Sequence, residues 1–162
     1  MKKILQKEEE VLRQKAKEVP LKDIGTPKIK KILKEMLSAL RSQNDGVAIA
    51  APQIGYSLRI FIVSGKIFAE NFAEDRIKNT EAKLLDEKNI TGEVPEVKKI
   101  KLGNANKDLV FINPKISKLS REKEWLPEGC LSVRWLYGKT FRSKKAIVTA
   151  YDANGKKITR GA

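Results

Sequence analysis

The sequence predicts an α+β fold, antiparallel sheets packed around a helix, and three observations carry that prediction. One amphipathic helix, "TPKIKKILKEMLSALRSQ", comes early; several β-rich runs follow it; and turn residues separate those runs. At 162 residues the simplest organisation is a single domain over 1–162, large enough to bury a core.

The helix is justified by spacing. Ile29, Ile32, Leu33, Met36, Leu37 and Leu40 recur at three and four residues, which gathers them on one face with lysines opposite. Thr26 is placed to cap the first turn, and Pro27 suits a position whose N–H has no helical partner. A stripe of this kind packs on a core; its basic polar face also admits a membrane-surface reading.

The strands follow in order. "LRIFIVS" has the length and β-branched content of a strand, and "LVFINPKISKLS" and "KKAIVTAYDANGKKIT" have the same character, with "DANG" supplying a hairpin turn in the last. Between Ala69 and Asp108 the chain is charged and weakly patterned, which predicts an irregular surface insertion with one short helix near Thr80 to Glu87. By propensity alone "QKEEEVLRQKAKEV" near the N-terminus is a helix.

Composition narrows the chemistry. Thirty-four Lys and Arg against 20 Asp and Glu leave a net charge of +14, a surface suited to polyanions. No stretch reaches the length of a membrane span, and "MKKIL" breaks into "QKEEE" before a signal-peptide core could form, so the reading is a cytoplasmic protein without a membrane partner. The one cysteine, Cys130, makes no internal disulfide, in keeping with a reducing compartment. There is no histidine, so these residues build no Ser-His-Asp triad, no Cys-His pair and no His-ligated metal site.

Two stretches stand apart from the fold pattern. "GVAIAAPQIG", residues 46–55, is small and apolar, poor material for a packed strand or helix, and holds one polar amide, Gln53. "LPEGCLSV", residues 126–133, places Cys130 between Gly129 and Leu131. That cysteine reads as a small buried apolar residue, or as a thiolate nucleophile or metal ligand on a constrained turn. As a nucleophile it lacks a histidine base, and as a ligand it lacks a second cysteine or a histidine.

Together "GVAIAAPQIG" and "EGCLSV" resemble the first two of three signature motifs of the peptide deformylases, which remove the formyl group from the N-terminal formyl-methionine of nascent bacterial proteins. The resemblance extends to "ILQKEEEVLRQKAKEV", "LRIFIV", "FINPKI" and "KKAIVTAYDANGKKI", so it covers most of the chain outside the insertion. It implies that the N-terminal segment runs largely extended, against its helical propensity.

At the site the resemblance implies metal-dependent hydrolysis, with ferrous iron first among the metals and zinc or nickel as substitutes. Cys130 would be a metal ligand, and the Gln53 amide and the Leu131 N–H would face the developing oxyanion. Gly46, Val47, Ala48 and Gly129 would line the path of a formyl-methionyl peptide or nascent chain, Val47 and Gly129 by main-chain pairing.

Three departures stand beside the match. Ala48 replaces a usual glycine, Arg134 and Trp135 follow "CLSV" where a proline is usual, and the third motif, HExxH on a C-terminal helix, is absent from these residues. The expectation is therefore a deformylase-like domain that is incomplete in this sequence and lacks that catalytic helix. It would bind metal weakly and be inactive by itself. Two alternatives are a non-catalytic binder of peptide N-termini and a basic module for RNA or the ribosome surface. The second alternative rests on charge, since the aromatics are few and not interleaved with the basic residues as in a stacking platform.

Overall fold

In chain order the fold consists of helix α1 (Pro27–Arg41) followed by strands β1 (Ala48–Ala50), β2 (Ile60–Val63), β3 (Leu109–Leu119), β4 (Lys123–Cys130), β5 (Val133–Ser143), β6 (Ala146–Tyr151) and β7 (Lys157–Gly161). The computed structural model describes residues 2–70, 72, 74, 75, 77, 78 and 107–161. Most of the expected insertion, with the short helix near Thr80 to Glu87, lies outside the described residues.

Helix α1 begins as its sequence dictates. The Thr26 hydroxyl accepts from the Ile29 N–H at 3.5 Å, Pro27 occupies the first turn, and the buried side chains are Ile29, Ile32, Leu33, Met36, Ala39 and Leu40. That face packs on a sheet of order β1-β2-β3-β6-β7, whose paired strands are antiparallel throughout. Ile49, Ile60, Ile62 and Ile112 supply the sheet's share of the core. Across β2 and β3 the Phe61 and Phe111 rings stack at 4.5 Å, a cross-strand pair that fixes register.

Strand β3 carries a defect that sequence reading did not show. Asn113 sits at φ 52, and the register with β6 shifts between Ile112 and Lys115. Its buried side chain accepts from the Val19 N–H at 2.8 Å and donates to the Val19 carbonyl at 2.7 Å. An amide thus mimics a strand and holds the N-terminal segment against the sheet. That segment is mostly extended, with short 3₁₀ turns at Glu10–Leu12 and Leu21–Asp23. Backbone bonds from Lys17 to Ser57 and from Arg59 to Lys17 replace helical ones, as the resemblance implied and propensity did not.

The β6–β7 hairpin turns at "DANG" as expected: Asp152 Oδ1 accepts from the N–H groups of Asn154 and Lys156, and Gly155 takes φ 80. Strands β4 and β5 form a separate two-stranded ribbon. Sequence analysis had read only its turn.

Candidate active site

The site starts where α1 ends. A Cβ on Gly46 would lie 3.0 Å from the Leu40 carbonyl oxygen and from the Gln43 Cβ, so only glycine lets the chain double back this tightly off the helix. The stretch that follows is better ordered than its composition led us to expect. Ala48–Ala50 form β1 against β2, and Ala51–Ile54 form a 3₁₀ turn closed by Gly55 at φ 89. Ile49, Ala51 and Ile54 are buried, which anchors the turn.

Gln53 is held by both ends of its amide. Its Oε1 accepts from the Ala50 N–H at 2.9 Å and its Nε2 donates to the Ser132 hydroxyl at 3.0 Å. A backbone N–H can only donate, so the atom facing Ala50 is the oxygen, and the two N–H bonds of Nε2 point the other way. One of them meets Ser132. An amide nitrogen carries two hydrogens, so Nε2 has a second donor beside that bond.

The second motif forms the tip of the β4–β5 ribbon. Cys130 pairs with Val133 across the two-residue turn Leu131-Ser132, with a register shift between Gly129 and Cys130. Ser132 is buried, Leu131 packs on the core, and Cys130 is exposed, so the buried-apolar reading of the cysteine is corrected. Gly129 lies opposite Tyr137, and a Cβ there would come within 2.8 Å of two Tyr137 ring carbons, the nearer at 2.7 Å; the missing side chain lets the ring lie across the strand.

Further residues, to which sequence reasoning gave no role, fix this tip. Gln6 donates to the Leu131 carbonyl at 3.2 Å and accepts from the Arg134 N–H at 3.3 Å. The Arg134 guanidinium reaches both Asp45 carboxylate oxygens, at 3.2 and 3.0 Å, and the Gln43 side chain. Glu128 is gripped by the Arg142 fork, which raises the arginine's pKa further above its ordinary value. Of these, Ser132 and Glu128 lay inside a quoted motif. Gln6 lay in the quoted N-terminal segment and Arg134 was named as a departure, but nothing in the sequence tied either to this tip, and Asp45 carried no signal.

The main chain at the start of β1 is partly committed to the sheet. The Val47 carbonyl accepts from the Ser64 N–H at 2.8 Å, on the β2 side. By the alternation of an antiparallel pair, the main-chain groups on the open edge of β1 belong to Ala48, which is exposed.

The residues present do not fit a catalytic metal centre by themselves. Among the described residues no group of three or more His, Cys, Asp or Glu side chains could hold an ion, and the full sequence has no histidine. Cys130 is one ligand where a catalytic site has three.

The bond from Gln53 to Ser132 thus joins the glutamine-bearing turn after edge strand β1 to the cysteine-bearing hairpin tip, within a deformylase-like fold. The whole chain, residues 1–162, matches the family model described as polypeptide deformylase. It is 34% identical over 152 residues to peptide deformylase 2 of Clostridium acetobutylicum, covering 94% of this chain and 73% of that protein. It is 32% identical to the chloroplastic/mitochondrial peptide deformylase 1A of Arabidopsis thaliana, covering 91% of this chain and 47% of that one.

Among solved structures, peptide deformylase from Thermotoga maritima superposes with a TM-score of 0.69 at 24% identity, over 99% of this chain and 80% of its own. The actinonin-bound enzyme of Acinetobacter baumannii gives 0.70 at 21%, over 100% and 82%. The chain belongs to the polypeptide deformylase family, metal-dependent enzymes that remove the formyl group from nascent peptides.

Proposed function

We propose that this chain forms the substrate-holding part of a deformylase site and receives the formylated N-terminal methionine of a nascent chain in the cytoplasm. The observation that carries this reading is the 3.0 Å bond from Gln53 to Ser132, which brings two motifs 79 residues apart to one cleft. A formyl oxygen there is an acceptor. The free Nε2 hydrogen of Gln53 and the Leu131 N–H are the donors that suit it. The open edge of β1 at Ala48 adds an extended peptide as a further strand, with Gly129 on the opposite wall and Gly46 keeping the base of the cleft narrow.

Hydrolysis is a separate matter. Cys130 would supply one metal ligand, and among the described residues no group of three or more His, Cys, Asp or Glu stands ready to complete a site for ferrous iron, zinc or nickel, the Glu128 carboxylate being engaged by Arg142. These residues therefore bind the formyl peptide without turning it over.

The test is calorimetric titration with a formyl-Met peptide and its unformylated twin, alongside a deformylation assay with added ferrous, nickel or zinc ion. Tighter binding of the formylated peptide and turnover no faster than buffer are expected. Equal binding of the two peptides would refute the assignment of the cleft. Turnover that disappears in Cys130→Ala would refute the separation of binding from hydrolysis.

A further inference from the structure

The glutamine-bearing turn and the hairpin tip are joined a second time, through the N-terminal segment. The Leu5 N–H donates to the Gln53 carbonyl at 2.8 Å, and a Cβ added at Gly55, which closes that turn, would lie 3.7 Å from the Leu5 Cδ1. The next residue, Gln6, reaches the tip: its Nε2 donates to the Leu131 carbonyl at 3.2 Å and its Oε1 accepts from the Arg134 N–H at 3.3 Å. Consecutive Cα atoms are about 3.8 Å apart, so the two parts of the site separate only if one of these bonds breaks. Residues 4–6 are half-buried and 7–10 exposed, which makes Gln6 the last residue of the segment to lie against the site.

The bonds that are made show which donors stay open. At Leu131 the carbonyl is taken by Gln6, while the N–H meets no acceptor among the described residues. At Gln53 the oxygen is taken by the Ala50 N–H and one hydrogen of Nε2 by Ser132, which leaves the second hydrogen. Both open donors therefore sit on segments that Leu5 and Gln6 hold. The Gln53–Ser132 bond alone is a looser tie, because a hydroxyl turns about its own bond. The planar Gln6 amide is bound on both sides of the 131–132 turn, and it needs a donor and an acceptor in one side chain, which neither lysine nor an ionised glutamate supplies.

We infer that Gln6 is a positioning residue for formyl recognition: it holds the tip while Leu5 holds the Gln53 turn, and together they set the spacing between the Leu131 N–H and the Gln53 amide so that both meet one formyl oxygen. This rests on the function proposed above, in which those two groups are the donors. Two donors serve one oxygen only when each comes within about 2.7–3.1 Å of it, so a small drift of the tip costs one of the two bonds.

The test uses the full isotope-labelled chain, titrated with a formyl-methionyl tripeptide and its unformylated twin, as wild type, Gln6→Ala and Gln6→Glu. A merely structural residue would weaken both peptides alike. For a positioning residue, Gln6→Ala should weaken the formylated peptide by about 2- to 10-fold and leave the unformylated one little changed. Gln6→Glu keeps an acceptor for Arg134 but sets a carboxylate oxygen against the Leu131 carbonyl, and it should lose at least as much. In nuclear magnetic resonance spectra without peptide, the Leu131 N–H and the Gln53 side-chain amide should move in both variants while the resonances of α1 stay in place.

An undiminished preference for the formylated peptide in both variants would overturn the inference and leave the cleft assignment standing. Equal weakening of the two peptides would do the same, reducing Gln6 to a structural role. Unmoved Leu131 and Gln53 resonances in the peptide-free variants would overturn it without reference to any peptide. If the alanine variant does not fold, the near-isosteric Gln6→Glu decides on each of these readouts. A wild type with no preference for the formyl group would instead refute the cleft assignment, and this inference with it.

Discussion

Gln53 can be tested by two substitutions that the geometry separates. In Gln53→Ala both bonds go, the one from Ala50 at 2.9 Å and the one to Ser132 at 3.0 Å. Each is worth about 0.5–1.5 kcal/mol net, and because Ser132 is buried the loss leaves a polar atom without water, so about 1–3 kcal/mol in all is expected. For a chain of this size that lowers the melting temperature by about 2–12 °C.

In Gln53→Glu one carboxylate oxygen still accepts from Ala50, and the Ser132 hydroxyl can rotate and donate to the other. Stability is therefore kept, while the donor proposed to face the formyl oxygen is replaced by a negative charge. Thermal melts read the first effect, and titration with formylated and unformylated peptides reads the second. The alanine variant should lose about 2- to 10-fold in formyl-peptide affinity, and the glutamate variant more, with the unformylated peptide little changed. If Gln53→Glu melts as low as Gln53→Ala, the assigned amide orientation is wrong. If it keeps the full preference for the formyl group, Gln53 does not face that oxygen.

Two further predictions concern the frame around the cleft. Asn113→Ala should cost about 2–4 kcal/mol in denaturant unfolding, from two lost bonds to Val19 and the left-handed backbone at φ 52; Asn113→Gly should cost less, because glycine tolerates that φ. A variant as stable as the wild type would show that the amide does not hold the N-terminal segment. Tyr56 donates to Glu35 at 2.7 Å, and that bond, with desolvation and the carboxylate charge adding to it, raises the phenol's pKa above its ordinary 10.0. A folded pKa above the unfolded one means the contribution is fully present below pH 10 and lost as pH rises through the folded value. Stability measured against pH should fall over that window more steeply in the wild type than in Tyr56→Phe, and identical profiles would remove Tyr56 from the account.

Helix α1 was legible because one face is buried along its whole length, so the period of 3.6 is written in Ile29, Ile32, Leu33, Met36 and Leu40. The β6–β7 hairpin was legible from its turn chemistry. The β4–β5 ribbon was not: Trp125, Leu136 and Phe141 are exposed, and a ribbon with little of either face against the core shows no clean alternation. Pro127 and Gly129 further disguise it as loop. The stretch 46–55 was misread for a related reason, since a three-residue strand is stabilised by pairing with β2 and not by its own residues. Gln53 drew notice as a polar residue among apolar ones, but its partner lies 79 residues away, and no local pattern encodes such a contact.

The departure from the family's usual proline at position 134 has a structural explanation in this chain. Proline has no N–H to give Gln6 and no guanidinium to reach Asp45, whereas Arg134 does both, and its ion pair is largely withdrawn from water, with about a fifth of each side chain exposed (21% and 24%). The ribbon tip is thereby tied to three separate parts of the chain: residue 6 through Leu131 and Arg134, residues 43 and 45 through the guanidinium, and residue 53 through Ser132. Each bond is modest, but together they fix a turn whose strands make few core contacts of their own. The other end of the ribbon continues into the β3–β6 pair through main-chain bonds from Ser120 to Lys145 and from Lys144 to Glu122, so both ends are held while the Trp125 and Phe141 rings between them stay exposed.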